Sequence, residues 1–370
     1  MEFVELIKAA LIGIVQGITE WLPVSSTGHM ILFDEFAELA VSDKFRGFFL
    51  VVIQLGSIFA VLVLYHKKLN PFSPAKNDEE KKKTWMLWLK VIVACIPAAI
   101  VGILLDDWVE ENYYTAVTVA IALIFYGIAF IIVERIKEGG KLPGPLARLA
   151  QGRGEPAAKA DKSAGSTYKP SSVVGRHSPE ALEARASELG VDRLSSALQE
   201  PQGSQGDVVP EALQGVRKSV PLTPSKGDAV TSVDELGFGR ALGIGAFQCL
   251  AVVPGTSRSG STILGGRILG VSREAATEFS FFLAIPIMFG WSLLKAVRAF
   301  VFDDLAISTT EWGILAVGVV VAFVVSVFAI KFLIGYIRKN SFEIFGWYRI
   351  ALGIIVLLFF AVTGQLFDLQ

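Results

Sequence analysis

The chain has 370 residues, of which 52% are hydrophobic and 19% are charged, and its formal net charge is −1. Soluble domains contain about 25% charged residues, so this composition argues against an ordinary soluble protein, and the balanced charge gives no sign of a nucleic-acid partner. Cys95 and Cys249 both lie in apolar surroundings and imply neither a disulfide framework nor a cysteine-rich metal site. The N-terminal apolar stretch carries Glu5 and Lys8, so we do not expect a cleavable signal peptide there.

Six apolar runs approach the roughly 20 residues that a helix needs to cross a bilayer. One such run could be a buried core helix, but six of them predict an all-α integral membrane protein. The predicted crossings lie at about 46–65, 85–105, 114–133, 276–297, 312–335 and 346–365.

The charge of the loops predicts the orientation, because Lys and Arg favour the cytoplasmic side. The loop 65–85 is rich in Lys and is placed inside, whereas 106–114 has no Lys or Arg and is placed outside. By the same rule 134–141 and 337–341 lie inside and 302–312 lies outside. The C-terminus is then expected on the outer side.

Two further apolar stretches, 1–40 and 237–270, cannot make a net crossing under this orientation. Each is interrupted by Pro and Gly, in WLPVSSTG (21–28) and VVPGTSRSGST (252–262). Broken backbone at membrane depth survives only inside protein or beside a wet cavity, so we interpret both stretches as re-entrant helical hairpins. Each half then contains one hairpin and three crossings in opposite orientations. Such an inverted-topology repeat places its site where the two broken elements meet.

An insert at 141–232 separates the first membrane repeat (1–140) from the second (233–370). It is rich in Pro, Gly, Ser and charged residues, so it cannot bury enough apolar surface to offset its chain entropy. We expect a mostly disordered cytoplasmic segment, with a helix favoured at 178–200 by a Ser N-cap signal. Both a plain linker and a docking or regulatory role fit this composition.

The polar residues of the two breaks indicate a functional site, because polar side chains at membrane depth are costly. Ser25 or Ser26 can cap the helix after Pro23, and a helix N-terminus suits an anion such as phosphate. Arg258 offers a planar, permanently charged fork for phosphate oxygens. Hydroxyls and amides in such positions can equally bond backbone carbonyls or join helices. The candidate phosphate ligands are Gln16, Ser25, Thr27, Gln248, Ser257, Ser259 and Thr262.

Glu20 and His29 add acid–base chemistry that a simple anion site lacks. A carboxylate beside a phosphate would repel it, unless the carboxylate holds a divalent cation or handles a proton. His29 follows Ser26 by one helical turn, close enough to activate a hydroxyl or to protonate a leaving oxygen. With Arg258, these residues predict catalysis of phosphoryl transfer.

The segments QGITEWLPVSSTGH (16–29) and PGTSRSGST (254–262) closely resemble the two signature motifs of the bacterial undecaprenyl-diphosphatases, the BacA/UppP family. The resemblance covers about 1–140 and 235–370. It implies two inverted repeats with re-entrant hairpins, in the bacterial plasma (inner) membrane, with a site that opens to the outer face. The implied reaction removes the terminal phosphate of a C55 isoprenoid diphosphate, which recycles the lipid carrier for peptidoglycan synthesis, and the implied phenotype is bacitracin resistance.

The resemblance also implies roles for individual residues. The (E/Q)xxxE element of the family falls on Gln16 and Glu20, and Glu20 is the expected ligand of a divalent cation, Mg²⁺ or Ca²⁺. Gln16 stands where many members have Glu, which leaves one carboxylate fewer for the cation. Ser26 matches the proposed nucleophile and His29 the motif histidine. Positions implicated in phosphate binding and catalysis fall on Ser257, Arg258 and Thr262.

The expected partners are the polyprenyl diphosphate, membrane lipids and a second copy of the chain. The nucleophile is open among Ser26, His29 and water. A lipid flippase is the main alternative, because inverted repeats with broken helices are typical of transporters. A flippase needs an anion site but neither a nucleophile nor an acid–base group, so Ser26 and His29 favour the enzyme. A membrane scaffold would have no use for Arg258 at depth.

Overall fold

The computed structural model describes residues 2–37, 39–139 and 228–364. In these residues the chain is helical, with one isolated parallel bridge between Val230 and Val271. The prediction of an all-α protein is therefore confirmed. The insert, with the helix predicted at 178–200, lies almost entirely outside the described residues. The α-helices in the described ranges are α1 (Glu2–Thr19), α2 (Ser26–Ala37), α3 (Asp43–Leu64), α4 (His66–Leu69), α5 (Asp78–Tyr113), α6 (Ala116–Lys137), α7 (Phe238–Gln248), α8 (Arg258–Ile268), α9 (Arg273–Val297), α10 (Thr309–Ile337) and α11 (Glu343–Thr363).

Six helical segments of the described residues are long and apolar enough to cross a membrane, which confirms a multi-pass membrane protein. They overlap the six predicted crossings. The remaining long helices, α1, α2, α7 and α8, fall in the two stretches predicted as hairpins. The six segments are Asp43–Leu64, Asp78–Leu105, Ala116–Lys137, Arg273–Phe302, Thr309–Ile337 and Glu343–Thr363.

Helices α6 and α11 approach each other at a pair of glycines. A Cβ atom on Gly127 would lie 2.6 Å from the carbonyl oxygen of Gly346, and one on Gly346 would lie 2.7 Å from the carbonyl oxygen of Gly127. Small residues let membrane helices pack backbone to backbone, where van der Waals contact replaces the hydrophobic driving force. The contact fixes the part of α11 that carries Tyr348 and Arg349.

An aromatic cluster forms the apolar wall behind the first break. Trp21 is fully buried and packs edge-on against Phe281, with 5.1 Å between the ring centroids. Tyr65 packs in the same way against Phe282, at 5.3 Å. Rings of this size contribute most of the buried area in a core and prefer such edge-to-face geometry. The wall keeps the polar residues beside Trp21 in surroundings of low dielectric constant.

A buried ion cluster anchors the far end of α8. The Arg267 side chain is fully buried and donates to Glu134 from Nε at 2.8 Å and to Asp228 from Nη1 at 2.9 Å. Arg273 donates to the second oxygen of Glu134 at 2.6 Å and also bonds Glu138. The cluster ties α8 to α6 and to Asp228, the first residue of the third described range. Because Arg258 begins α8, the cluster also helps to position Arg258.

We expect Glu134→Ala to lower the free energy of unfolding by about 3–5 kcal/mol, because it leaves Arg267 buried without one of its two carboxylates. The measurement is the thermal or denaturant midpoint of the purified protein in detergent. Glu138→Ala is the matched control, since the side chain of Glu138 is 44% exposed and such pairs contribute about 0–1 kcal/mol. Equal midpoints for the two variants would contradict the expectation.

Candidate active site

Each helix break ends at a serine with unusual backbone geometry. Ser25 precedes α2 with a φ of 72°, and Ser257 precedes α8 with a φ of 73°. Each side chain caps the helix that follows: Ser25 Oγ accepts from the backbone N–H of Gly28 at 3.3 Å, and Ser257 Oγ from that of Gly260 at 3.1 Å. The left-handed region costs a residue with a Cβ about 1–3 kcal/mol, and such strain concentrates at functional sites. The two breaks therefore share one strained capping geometry.

Glu20 joins the two breaks. Its Oε2 accepts from Gln16 Nε2 at 3.0 Å and from Ser26 Oγ at 3.5 Å, and its Oε1 accepts from Arg258 Nη2 at 3.1 Å. Only 8% of Glu20 is exposed. Ser26 and Arg258, the first residues of α2 and α8, thus contact the same carboxylate, and Arg258 reaches it across 238 positions of sequence.

Arg258 is held by protein on both sides of its guanidinium. Nη1 donates to the carbonyl oxygen of Ser280 in α9 at 2.9 Å, and the guanidinium carbon lies 5.9 Å from the centre of the Trp21 ring. Ser259 adds a direct link between the breaks, because its Oγ donates to the backbone carbonyl of Glu20 at 3.1 Å. An arginine fixed in this way against apolar rings interacts strongly with an anion, since the surroundings screen charge poorly.

A second arginine, Arg349 in α11, is fully buried between the breaks. It donates to the Pro23 carbonyl at 3.3 Å, to the Gly255 carbonyl at 2.9 Å and to the Thr256 carbonyl at 2.8 Å. Its guanidinium carbon also lies 5.6 Å from the centre of the Tyr126 ring. These three hydrogen bonds of Arg349 run to neutral carbonyls, so its positive charge adds to that of Arg258 against the single carboxylate of Glu20.

His29 contacts both its own helix and α11. Nδ1 lies 2.7 Å from the carbonyl oxygen of Ser25, and Nε2 lies 2.6 Å from the hydroxyl of Tyr348. Burial lowers the pKa of His29; the Ser25 carbonyl opposes this, and the positive charge of Arg349 lowers the pKa further. The lowered pKa of His29, which lies in α2 outside the six spanning segments, favours the neutral imidazole, and the neutral form is lost as the pH falls through that lowered pKa.

The other predicted phosphate ligands differ in how their polar atoms are used. Thr262 Oγ1 lies 2.6 Å from Ser280 Oγ and donates to the Arg258 carbonyl at 2.9 Å. Gln248 is 3% exposed, and among the described residues neither polar atom of its side chain has a hydrogen-bond partner. Thr27 is half-buried, on the turn of α2 that carries Ser26. The structure thus brings together Gln16, Glu20, Ser26, Arg258 and Ser259, and it places Thr262 against α9.

Sequence reasoning missed Tyr348 and Arg349. The available signal was the WYRI segment (347–350), where an arginine lies inside the apolar run at 346–365. A charged residue within a spanning segment indicates a function by default, and the same rule had selected Arg258. Nothing local to the segment shows that Tyr348 meets His29, because that contact joins positions 319 apart.

A divalent cation fits the donors around Glu20 only in part. Among the described residues there is no group of three or more His, Cys, Asp or Glu side chains that could hold a metal ion. The available donors are oxygens of Glu20, Gln16 and Ser26, and oxygen donors are those that Mg²⁺ and Ca²⁺ prefer. With one carboxylate, these residues would hold a cation together with phosphate oxygens of a substrate.

The fold and the site define a class of protein: a multi-pass membrane protein with a polar site among its helices. The site contains two arginines and one carboxylate, so its net positive charge suits an anionic group. A family model described as bacitracin resistance protein BacA matches residues 9–167 and 216–355, and the chain belongs to this family.

Curated undecaprenyl-diphosphatases are similar to this chain over nearly their full length. The chain is 42% identical to the undecaprenyl-diphosphatase of Enterococcus faecalis over 357 residues, which is 96% of this chain and 98% of the relative. It is 44% identical to the undecaprenyl-diphosphatase of Acetivibrio thermocellus over 356 residues, with the same coverage. The family model leaves residues 168–215, in the middle of the insert, unmatched.

Proposed function

We propose that this protein is an integral membrane phosphatase that hydrolyses undecaprenyl diphosphate to undecaprenyl phosphate and inorganic phosphate. This reaction recycles the lipid carrier for peptidoglycan synthesis. The observation that carries the proposal is the meeting of Ser26 and Arg258, each the first residue of a helix, on Glu20. The undecaprenyl-diphosphatase relatives give the substrate class.

The terminal phosphate is held between the N-termini of α2 and α8. Arg258 and the free backbone N–H groups of those helices offset the charge that the phosphoryl group carries in the transition state. Glu20 keeps the Arg258 fork directed at the site, and His29 accepts the proton of the attacking group and returns it to an oxygen. Thr262, through Ser280, holds α8 against α9 and so positions Arg258.

Two routes for the attack fit this arrangement. Ser26 can attack and form a phosphoserine, or a water molecule can attack directly, and the hydroxyl of Ser26 contacts Glu20 at 3.5 Å. Substrate labelled in its terminal phosphate separates the routes. Labelled phosphate trapped on the wild-type chain supports the covalent route, whereas substantial turnover by Ser26→Ala supports attack by water.

An inverted repeat and two re-entrant hairpins form part of the proposal, supported by equivalent positions 232 residues apart. Gly13 corresponds to Gly245, and Ser25 to Ser257, which shares its left-handed φ and its capping bond. Gln16 and Gln248 keep the same offset.

The depth of the site in the membrane is a further part of the proposal. Tyr126, whose ring lies beside Arg349, is the eleventh of the 22 residues of α6, so the site lies near the middle of this helix. A site where two interrupted elements meet near the midplane is typical of such repeats.

The orientation follows from the loops. The Lys-rich 65–85 segment lies on the cytoplasmic side of the bacterial plasma membrane, and the site opens to the outer face, as the family resemblance implies. Labelling of single cysteines placed in the loops with a membrane-impermeant reagent tests this orientation. A homodimer stays a prediction.

A divalent cation would be held by Glu20 and Gln16 with oxygens of the diphosphate, and when bound it would neutralise phosphate charge. We expect Gln16→Glu to raise the affinity of the substrate-free protein for Mn²⁺ by at least about tenfold, because affinity grows with the number of carboxylate ligands. The measurement is Mn²⁺ binding followed by electron paramagnetic resonance, without turnover. Gln248→Glu is the matched control on α7, and equal affinities for the two variants would contradict the role of Gln16.

The function is tested with purified protein in detergent, undecaprenyl diphosphate, and a divalent cation or a chelator. Detergent leaves no second compartment, so release of inorganic phosphate reports hydrolysis and not transport. We expect release that the chelator abolishes. Binding of the substrate without phosphate release would instead favour the flippase.

A further inference from the structure

The His29 imidazole is held at both of its nitrogens. Nδ1 lies 2.7 Å from the Ser25 carbonyl oxygen, which can only accept, so Nδ1 carries the proton of the neutral ring. Nε2 then offers a lone pair, and the Tyr348 hydroxyl at 2.6 Å donates to it. The two ring planes are 8° from parallel. The contacts therefore select one tautomer of the neutral imidazole.

Both partners of His29 are themselves fixed. Ser25 is fully buried and is constrained by its left-handed backbone and its capping bond to Gly28. Tyr348 is followed by Arg349, which bonds the carbonyl of Pro23 two residues before Ser25. The Tyr348–His29 contact thus joins α11 to the first break, and the hydrogen bond from Arg349 to Pro23 joins the same two parts of the chain independently.

In this arrangement neither ring nitrogen of His29 has a free lone pair that could accept a proton directly from a nucleophile. Its single lone pair is occupied by Tyr348, whereas the hydroxyl of Ser26 is directed at Glu20. Because the Nε2 lone pair already accepts from the Tyr348 hydroxyl, the tyrosine oxygen lies between this nitrogen and any further proton donor.

We propose that Tyr348 is a catalytic proton relay, through which His29 exchanges its proton with the reacting group; this rests on the proposed phosphatase function. The O–H bond of the nucleophile breaks and its proton forms an O–H bond on Tyr348, while the original tyrosine proton forms an N–H bond on Nε2. Tyr348 is neutral before and after the step. The reverse transfer returns the proton to a phosphate oxygen.

Tyr348→Phe tests the relay, because it keeps the ring and removes only the hydroxyl. General acid–base groups contribute about 10²–10⁴-fold to rate, so we expect kcat for phosphate release to fall by about 10²-fold with KM unchanged within about twofold. The melting temperature in the same detergent should match that of the wild type. Tyr336→Phe, in α10 and outside the site, is the matched control and should retain full activity.

A double-mutant cycle tests whether Tyr348 acts through His29. If Tyr348 acts through His29, the variant with both Tyr348→Phe and His29→Gln has the same rate as His29→Gln alone. Multiplication of the two losses, or an unchanged kcat in Tyr348→Phe, would overturn the relay. Neither result touches the proposed function, which fails only if the wild-type protein itself releases no phosphate.

Discussion

Replacing Arg258 by alanine is expected to lower phosphate release from undecaprenyl diphosphate by about 10³-fold or more, because an arginine that neutralises a transferring phosphoryl group contributes about 10³–10⁵-fold. In the wild type, Arg258 Nη2 lies 3.1 Å from Glu20 Oε1. The variant leaves the Glu20 carboxylate without this cationic partner, so the carboxylate then repels the anionic substrate. The measurement is kcat/KM in detergent. Arg258→Lys keeps the charge but not the planar fork, and we expect an intermediate rate.

Arg338→Ala is the matched control for this variant. The side chain of Arg338 is 52% exposed and pairs with Glu274 at 3.3 Å, outside the site, so its loss should leave the rate within about twofold of wild type. A folded Arg258→Ala protein with near-normal kinetics would refute the role of Arg258 and, with it, the reading of the two breaks as one phosphate site.

Replacing Arg349 by methionine is expected to lower the free energy of unfolding by about 3–5 kcal/mol. The carbonyls of Pro23, Gly255 and Thr256 lose their buried hydrogen-bond donor, and each unsatisfied carbonyl costs about 1–3 kcal/mol. Removal of the buried charge of Arg349 offsets part of this cost. The measurement is the midpoint of thermal or denaturant unfolding in detergent. Activity should fall as well, because the two breaks are no longer joined through α11.

Arg338→Met serves as the control for Arg349→Met, since it removes an exposed arginine of the same size. Arg349→Lys should restore only part of the stability, because one ammonium cannot reproduce the planar guanidinium that serves three carbonyls. An unfolding midpoint equal to that of the wild type in Arg349→Met would show that the breaks hold together without it.

The two arginines are therefore distinguishable by experiment. Arg258 contacts Glu20 and faces the proposed phosphate, so its loss should affect the rate more than the stability. Arg349 contacts backbone carbonyls of the breaks, so its loss should affect both. The comparison separates a group that stabilises the transition state from one that assembles the site.

Much of the candidate site was predictable because its signals are local. Glu20, Ser26 and His29 lie in one short break between apolar runs, and Arg258 lies in another. Each is conspicuous because a polar group at membrane depth has a large desolvation cost. Tyr348 gave no such signal, since tyrosine is common in membrane helices and its partner lies 319 positions away.

Two predicted site residues have partners that their spacing along the chain did not indicate. Thr262 stays a predicted phosphate ligand, and its hydroxyl lies 2.6 Å from that of Ser280. His29 stays a predicted acid–base group, and its ring nitrogens contact Ser25 and Tyr348. Spacing along a helix shows which side chains share a face, but the direction of a hydroxyl or an imidazole depends on the neighbouring helices.

The sequence by itself determined the membrane class, the six apolar segments that are long enough to cross a membrane and the two polar breaks. Hydropathy and the cost of buried polar groups act on each short segment independently of the rest. Only the tertiary structure decided that both breaks meet on Glu20, that Arg349 joins their backbones and that Tyr348 covers His29. These contacts depend on how α11 packs against α6 and on where α8 ends against α6, and such long-range packing leaves no periodic pattern in the chain.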